Sequence, residues 1–177
     1  MVFDVIDRVP QIKDKADLGK NDLIFSLNDG IHFKNVTFKY PTALAKLPNV
    51  MTGVNFTIKA GTTTAIVGHS GSGKSTIIQM VERFYDPVSG DIFIDDKNIK
   101  DVSLKALREN IGYVSQEPVL VIGTVRENLR YGNKDATDED IKIALQKANA
   151  TFVYDMENGL DSFVGSSTVL NLSGGQK

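Results

Sequence analysis

The sequence contains no cysteine, and it has no excess of charge of either sign. Without cysteine, its 177 residues have no disulfide framework and no thiolate metal site, which fits a reducing compartment. The formal net charge is −2, and no basic stripe with interleaved aromatic residues is present, so no electrostatic feature favours nucleic-acid binding. What remains is a chain with 41% hydrophobic residues, enough to bury a core of its own.

Long hydrophobic runs are also missing. The apolar run around Val119 to Val125 is far shorter than the ~20 residues that a membrane-spanning helix needs. The first residues, Met1 to Arg8, break their apolar face with charge, which is not the pattern of a signal peptide. The sequence therefore predicts a chain that is soluble by itself.

The most informative feature that is present is the octapeptide Gly68-His69-Ser70-Gly71-Ser72-Gly73-Lys74-Ser75, which is followed by Thr76. It has the spacing of a phosphate-binding P-loop. Its glycines let successive backbone N–H groups point inward, Lys74 reaches the outer phosphates, and the Ser75 hydroxyl is suited to bind Mg²⁺. The alternative is a Gly/Ser-rich linker that happens to contain a lysine. The spacing favours a loop that holds a nucleoside triphosphate with Mg²⁺.

The segments on either side of the loop fit a P-loop. Thr63–Val67 is a short β-branched, apolar run suited to a buried parallel strand, and Ser75–Val81 continues as an amphipathic helix. In such a strand–loop–helix unit the helix N-terminus, equivalent to roughly +0.5 charge, points at the phosphates.

Period-two patterns predict an antiparallel β lobe beside this unit. The pattern begins at Ile31, returns after a loop containing Pro41 and Pro48, and occurs again at Asp91–Asp95; its apolar positions include Val36, Phe38, Tyr40, Val54, Phe56 and Ile58.

The later part of the chain predicts two capped helices and one further strand. Ser103 is a suitable N-cap for a short helix carrying Leu104 and Leu107, and Ile111–Val114 resembles a strand. Thr137 caps a predicted helix over residues 138 to 149, whose buried face would consist of Ile141, Ala144, Leu145 and Ala148.

A second glycine cluster, Leu172-Ser173-Gly174-Gly175-Gln176, follows the P-loop by about a hundred residues. Alone it would also suit a terminal linker. With the P-loop at this spacing it resembles the signature sequence of ATP-binding cassette (ABC) proteins. The resemblance implies that Ser173 and the glycine N–H groups, at a helix start, hold the γ-phosphate of ATP bound to a partner subunit.

Two further residues match the family's nucleotide site. Gln116, in Tyr113–Pro118, resembles the Q-loop glutamine, whose amide oxygen reaches Mg²⁺ and the attacking water; the residues alone favour a turn residue before Pro118 instead. Tyr40, before Pro41, resembles the aromatic residue that stacks on adenine; an edge-strand aromatic covering the core is the alternative.

The resemblance extends from about Val2 to Lys177, and it is specifically to the nucleotide-binding domain of P-glycoprotein and multidrug-resistance exporters. It is carried by Phe84–Pro87, Leu107–Arg108, Val114–Leu120, Glu127–Gly132 and Ala148–Ala150. It implies an α/β fold: a P-loop NTPase core with a parallel sheet, an antiparallel β lobe and a helical lobe, incomplete at the C-terminus. Residues 1–30 would be a linker following a transmembrane domain, residues 31–177 a partial nucleotide-binding domain, and about 117–177 its helical lobe ending in the signature.

The function that the resemblance implies is Mg-ATP binding in a transport-coupled ATPase. Its cofactors would be ATP and Mg²⁺, and its partners a second nucleotide-binding domain, in a head-to-tail dimer, and the transmembrane domains of a parent membrane protein, with this domain on the cytosolic face and no nucleic acid. The nucleotide would be held by Tyr40, Gly68, Ser70, Gly71, Ser72, Gly73, Lys74, Ser75 and Thr76. Lys74 and Gln116 would serve catalysis, and Ser75 and Gln116 would bind the metal.

The sequence departs from the family pattern in two places. After Val164-Gly165 the family's acidic and basic pair is replaced by the segment Ser166–Asn171, which leaves the coupling to the membrane half open. The Walker B aspartate, the catalytic glutamate and the switch histidine would follow Lys177. For these residues alone we therefore expect negligible ATP hydrolysis and unpaired apolar sheet edges around Ile66 and Val114.

Other functions are compatible with a P-loop. A regulatory nucleotide-binding module without hydrolysis would differ by a substituted catalytic glutamate. A soluble cassette ATPase acting on ribosomes or chromosomes would need a basic surface. A GTPase is disfavoured because Asn133–Ala136 only superficially matches the guanine-reading motif, its Asp135 standing one position too early.

Overall fold

The computed structural model describes residues 7, 9–10, 12, 27–41, 48–165 and 172–177. The chain divides into two compact units, Met1–Gly112 and Tyr113–Lys177. Within the described ranges, no helix combines the length and the apolar character that crossing a bilayer requires. The predicted linker over residues 1–30 and the departure at 166–171 lie mostly or wholly outside the described residues, and the predicted domain bounds stay predictions.

The first unit contains a four-stranded antiparallel sheet. Its strands are β1 (Gly30–Phe38), β2 (Met51–Lys59), β3 (Ser89–Ile94) and the short β4 (Lys97–Asn98), in the order β2-β1-β3-β4. In β1 and β2 apolar and polar residues largely alternate, and in β3 the buried Ile92 and Ile94 stand on either side of the half-buried Phe93, so one face can cover a core while the other meets water. The predicted antiparallel β lobe is thus confirmed.

A bulge in β1 changes the alternation that the sequence suggests. The pairing register with β2 shifts between Phe33 and Val36, and Asn35 lies in the left-handed region with φ 51°. Because of this extra residue, Phe33 and Val36 are both buried although they are three positions apart. Gly90 on β3 fits against the bulge, where a Cβ atom would lie 2.3 Å from the Asn35 carbonyl oxygen.

In the described part of the first unit, the sheet is accompanied by the α-helices α1 (Lys74–Val81) and α2 (Leu104–Glu109) and a 3₁₀ turn, Ile99–Asp101. Arg108 of α2 donates from Nε to the Glu82 carbonyl at 3.2 Å and from Nη2 to the Arg83 carbonyl at 3.2 Å, which satisfies carbonyl groups at the C-terminal end of α1. The helices and the sheet share one core, formed by Phe33, Val36, Phe38, Met51, Met80, Ile92, Ile94, Ile99, Val102 and Leu107.

The two strands predicted for a parallel sheet are not formed. Neither Thr63–Val67 nor Ile111–Val114 has strand structure, and Val67 and Val114 are each 87% exposed. A strand is stable only when a neighbouring strand takes up its N–H and C=O groups. Among the described residues every strand pairing is antiparallel, so these segments have no such neighbour.

The second unit combines short helices with a small two-stranded sheet. It contains β5 (Gly123–Thr124), α3 (Val125–Leu129), α4 (Asp138–Lys147) and β6 (Phe163–Val164), and β5 pairs antiparallel with β6. Two 3₁₀ turns, Thr151–Asp155 and Gly159–Asp161, lie between α4 and β6. The core consists of Val125, Ile141, Leu145, Val153, Leu160 and Val164.

The helix predicted after Thr137 is confirmed, but its buried face is narrower than expected. Ile141 and Leu145 are buried, whereas Ala144 and Ala148 are exposed. A single row of large side chains is therefore sufficient to attach α4 to the second core.

Candidate phosphate-binding site

The candidate site is the glycine-rich loop before α1. Gly71 and Gly73 adopt left-handed conformations with φ 80° and 91°, and Gly73 is the N-cap of the helix. A Cβ atom on Gly73 would lie 3.1 Å from Val50 Cγ1 and 3.6 Å from Met51 Cγ. Position 73 therefore requires glycine both for its backbone conformation and for the space beside β2.

The N-terminus of α1 has no internal cap. Among the residues that the structure describes, no side chain accepts a hydrogen bond from its first turn, and the first turn contains no acidic residue. The other described α-helices are capped by their own side chains: Ser103 caps α2, and Thr124 and Thr137 form capping boxes at α3 and α4. The N–H groups at the start of α1 are thus left for an acceptor outside the chain, and the helix dipole favours an anion there.

Lys74 places a positive charge on this loop. Its Nζ donates to the carbonyl oxygens of Gly68 at 2.9 Å and His69 at 2.8 Å. An ammonium group has three donors, so one remains for a ligand. The Ser72 N–H donates to the His69 carbonyl at 3.2 Å and closes the turn. Lysine, backbone N–H groups and helix dipole together fit a polyphosphate.

The hydroxyl groups of the loop fit Mg²⁺ bound together with phosphate. Ser70 and Ser75 are exposed, and a serine hydroxyl with phosphate oxygens is an ordinary ligand set for this ion. The residues that the structure describes contain no cluster of three or more histidine or carboxylate side chains suited to a metal. The loop thus presents exposed hydroxyl groups, and Mg²⁺ binding by Ser75 stays a prediction.

Tyr40 lies against the first turns of α1. Its hydroxyl is 2.7 Å from Thr76 Oγ1 and donates to Gln79 Oε1 at 3.0 Å. Its ring packs edge-on with Phe38 and Tyr85, with centroid distances of 4.9 Å and 5.2 Å. Tyr40 is thus half-buried at the margin of the core and joined to the helix that follows the P-loop. Adenine stacking by Tyr40 stays a prediction, as does nucleotide contact by Thr76, whose side chain is buried.

Sequence reasoning missed Gln79 and Tyr85, the two contacts that orient Tyr40. The signal for Gln79 was its position three residues after Thr76, which places both side chains on one face of α1. For Tyr85 the sequence offered no signal, because its contact with Tyr40 joins segments 45 positions apart.

The predicted signature segment in the second unit has the geometry of a helix start. The Ser173 N–H donates to Gln176 Oε1 at 2.9 Å, while the N–H groups of Gln176 and Lys177 donate to the Ser173 carbonyl at 3.0 and 3.1 Å. Leu172 packs against the second core, and residues 173–177 are exposed. The Ser-x-x-Gln pattern of Ser173 and Gln176, which is that of a capping box, is the sequence signal for this hydrogen bond.

Gln116 belongs to the second unit and is exposed in a bend before Pro118. Residues 111–122 form neither helix nor strand. Ser75, the other residue predicted to bind Mg²⁺, belongs to the first unit. Contact of Gln116 with Mg²⁺ therefore stays a prediction.

Comparison with known proteins assigns the chain to a family. Residues 51–177 match the family described as ABC transporter. The chain belongs to the ABC transporter family.

Individual ABC proteins resemble it along nearly its whole length. It is 42% identical to ABC transporter B family member 21 of Arabidopsis thaliana, covering 99% of this chain and 13% of that protein. It is 46% identical to ABC transporter B family member 1 of Dictyostelium discoideum, with coverages of 99% and 19%. For the ATP-dependent permease MDL1 of Candida albicans the identity is 43% and the coverages are 99% and 25%. The chain therefore spans a quarter or less of the length of these relatives.

A solved ABC exporter shows the same fold. A bacterial Atm1-family ABC exporter with ATP bound superposes with a TM-score of 0.85 and 35% identity, covering 99% of this chain and 30% of that chain. The predicted class, an incomplete α/β domain of the ABC type, and the resemblance to B-family exporters are thus confirmed.

Proposed function

We propose that this ABC domain binds Mg-ATP through the loop 68–76 and serves an exporter. The observation that carries the proposal is the α1 N-terminus, which lacks any internal cap or acidic residue and has Lys74 folded across the loop before it. A nucleoside triphosphate supplies negative charge to balance the positive helix end and the Lys74 ammonium group. The ATP-bound exporter that shares the fold supports this choice of ligand.

The residues have separate tasks in this proposal. Backbone N–H groups of the loop, from Gly71, Gly73 and Lys74, surround the phosphates, Lys74 neutralises the outer phosphate charge, and Ser75 binds Mg²⁺ with Gln116 as a second metal ligand. Tyr40 packs against the base. The signature, Leu172–Gln176, contacts ATP held by the partner domain through the Ser173 hydroxyl and the N–H groups of the exposed residues Gly174 and Gly175.

The whole protein would be a transport ATPase. Two such domains would sandwich two ATP molecules head to tail, and transmembrane domains would transmit the resulting motion across a membrane, with this domain on the cytosolic face. The relatives named as transporters and permease support this role. A chain of these 177 residues alone should hydrolyse ATP negligibly, because the catalytic glutamate and Walker B aspartate of the family are not among them.

The proposal is tested by titrating fluorescent ATP into the wild-type chain and Lys74→Ala in the presence of Mg²⁺. A charge-assisted contact with phosphate contributes ~1.5–3 kcal/mol, so the variant should bind about ten- to a hundredfold more weakly. Lys59→Ala, which removes an exposed lysine from the end of β2, is the matched control and should bind normally. Unchanged affinity in a folded Lys74→Ala protein would show that the loop does not hold the phosphates.

A regulatory module without hydrolysis is the second candidate. It shares the binding site and differs only in turnover, so single-turnover phosphate release by the full-length protein separates the two functions.

A further inference from the structure

A chain of hydrogen bonds joins Tyr40 to the helix that follows the P-loop. The Tyr40 hydroxyl donates to Gln79 Oε1 at 3.0 Å and lies 2.7 Å from Thr76 Oγ1. Since a phenol has one proton and Tyr40 gives it to Gln79, the Thr76 hydroxyl is the donor in the second bond. The resulting order is Thr76 to Tyr40 to Gln79, in which both hydroxyl groups are satisfied.

Each member of this chain is held in place. Thr76 is 3% exposed and directly follows Ser75 in the first turn of α1. Gln79 lies three residues later on the same helix face. Edge-on contacts of the Tyr40 ring with Phe38 and Tyr85, at interplanar angles of 80° and 90°, restrict its plane. The ring therefore has a fixed position relative to the phosphate loop.

We infer that Gln79 is a positioning residue for nucleotide binding, because it fixes the Tyr40 ring for contact with the base through the hydrogen-bond chain Thr76–Tyr40–Gln79. The inference rests on the proposed function, in which the loop holds the phosphates and Tyr40 meets the base. A ring oriented before binding loses less freedom when the ligand arrives, so removing the acceptor weakens the base-dependent part of affinity and leaves the phosphate-dependent part intact.

The test compares ATP with inorganic triphosphate, which has no base. Affinities are measured for wild type, Gln79→Leu, Gln79→Glu and Tyr40→Phe. Gln79→Leu removes the acceptor, whereas Gln79→Glu keeps one. Comparing the two ligands within each variant separates a loss of contact with the base from a repulsion that acts on the phosphates. Tyr40→Phe keeps the ring and removes only the hydroxyl.

We expect Gln79→Leu and Tyr40→Phe each to weaken ATP binding about two- to tenfold without changing triphosphate binding. The double variant Gln79→Leu/Tyr40→Phe should weaken ATP binding no more than either single substitution does. Gln79→Glu should keep the ratio of ATP affinity to triphosphate affinity near that of the wild type. Tyr40→Phe keeps the inference testable if Gln79→Leu does not fold.

An unchanged ratio in Tyr40→Phe, or an equal loss for both ligands, would overturn the inference. If the loop holds phosphate, Lys74→Ala must weaken the binding of both ATP and triphosphate. That result would support the proposed function even where the Tyr40 and Gln79 variants contradict this inference. Absence of triphosphate binding by the wild type would overturn both.

Discussion

The helices α1 and α4 begin in opposite ways. At α4 the Thr137 hydroxyl accepts from the Asp140 N–H at 3.2 Å, and Asp140 Oδ2 accepts from the Thr137 N–H at 2.8 Å. The first turn of α4 also contains the acidic residues Asp138, Glu139 and Asp140, whereas that of α1 contains none. At α1 the cap is Gly73, whose missing side chain leaves the N–H groups open.

In the proposed function, this difference separates a structural helix end, at α4, from a ligand site, at α1. The end of α4 is satisfied internally, so α4 needs no ligand for its stability. The start of α1 lacks this contribution, and α1 is held by other contacts: by Arg108 at its C-terminal end and by Tyr40 along its side. Ligand binding would then stabilise α1 and leave α4 unaffected.

The largest expected effect comes from giving α1 a side chain at its cap. Gly73→Ala places an alanine at φ 91°, with its Cβ atom 3.1 Å from Val50 Cγ1. Left-handed strain costs ~1–2 kcal/mol, and the crowding adds to it, so the free energy of unfolding should fall by about 2 kcal/mol and ATP affinity by at least about tenfold.

Urea unfolding and ATP titration check this prediction. Gly71→Ala is the control, since position 71 has φ 80° but no atom within 4 Å of a Cβ, and should show the strain without the crowding. Equal effects of the two substitutions would mean that the contact with Val50 is unimportant.

The second largest effect should come from removing the cap of α4. Thr137→Ala loses the hydroxyl of the capping box and should lower the free energy of unfolding by about 1 kcal/mol, with no change in ATP affinity. Thr137→Ser, which keeps the hydroxyl, should be near wild type. A loss of ATP affinity in Thr137→Ala would contradict the independence of the two helix starts.

The sequence was sufficient for features with a local cause. Each of these features depends on a few neighbouring residues. The structure contains Gly73 at the start of α1, the caps Ser103 and Thr137 at α2 and α4, and the strands predicted from the period-two pattern. The bulge at Asn35 was not foreseen, because it depends on how β1 fits two neighbouring strands.

Features that need distant partners were predicted less well. Thr63–Val67 and Ile111–Val114 have the composition of buried strands, but no neighbouring strand is present among the described residues, and composition cannot supply one. For Tyr40 the sequence left base contact and core packing as alternatives. The structure shows packing against Phe38 and Tyr85, and a hydrogen bond to Gln79 that neither alternative contained.

A smaller effect should follow from making α1 resemble α4. Ser75→Asp puts an acid into the first turn of α1, at an exposed position, and should raise the free energy of unfolding by ~0.3–1 kcal/mol through the helix dipole. The same charge repels phosphate, so ATP affinity should fall while stability rises. Ser75→Asn, which is neutral, separates charge from shape in urea unfolding and ATP titration. A rise in both quantities would contradict an anion site at α1.

The smallest effect is a difference in pH dependence between the two helix starts. Hydrogen bonds from the Thr137 hydroxyl and backbone N–H hold the pKa of Asp140 below its ordinary value of 3.8. Because the folded pKa is lower than the unfolded one, Asp140 contributes stability above the unfolded value, and this contribution is lost as the pH falls through the folded pKa. No acidic residue in the first turn of α1 makes a similar contribution.

Asp140→Asn should therefore flatten the decline of the free energy of unfolding between about pH 5 and pH 2, while its ATP affinity at neutral pH stays that of the wild type. Asp135→Asn, which changes an exposed aspartate outside the capping box, is the control for the loss of one carboxylate. Carbon-detected NMR titration of the Asp140 carboxyl group gives the direct measurement. A pKa at or above 3.8 would show that the Thr137 capping box does not stabilise the charged form of Asp140.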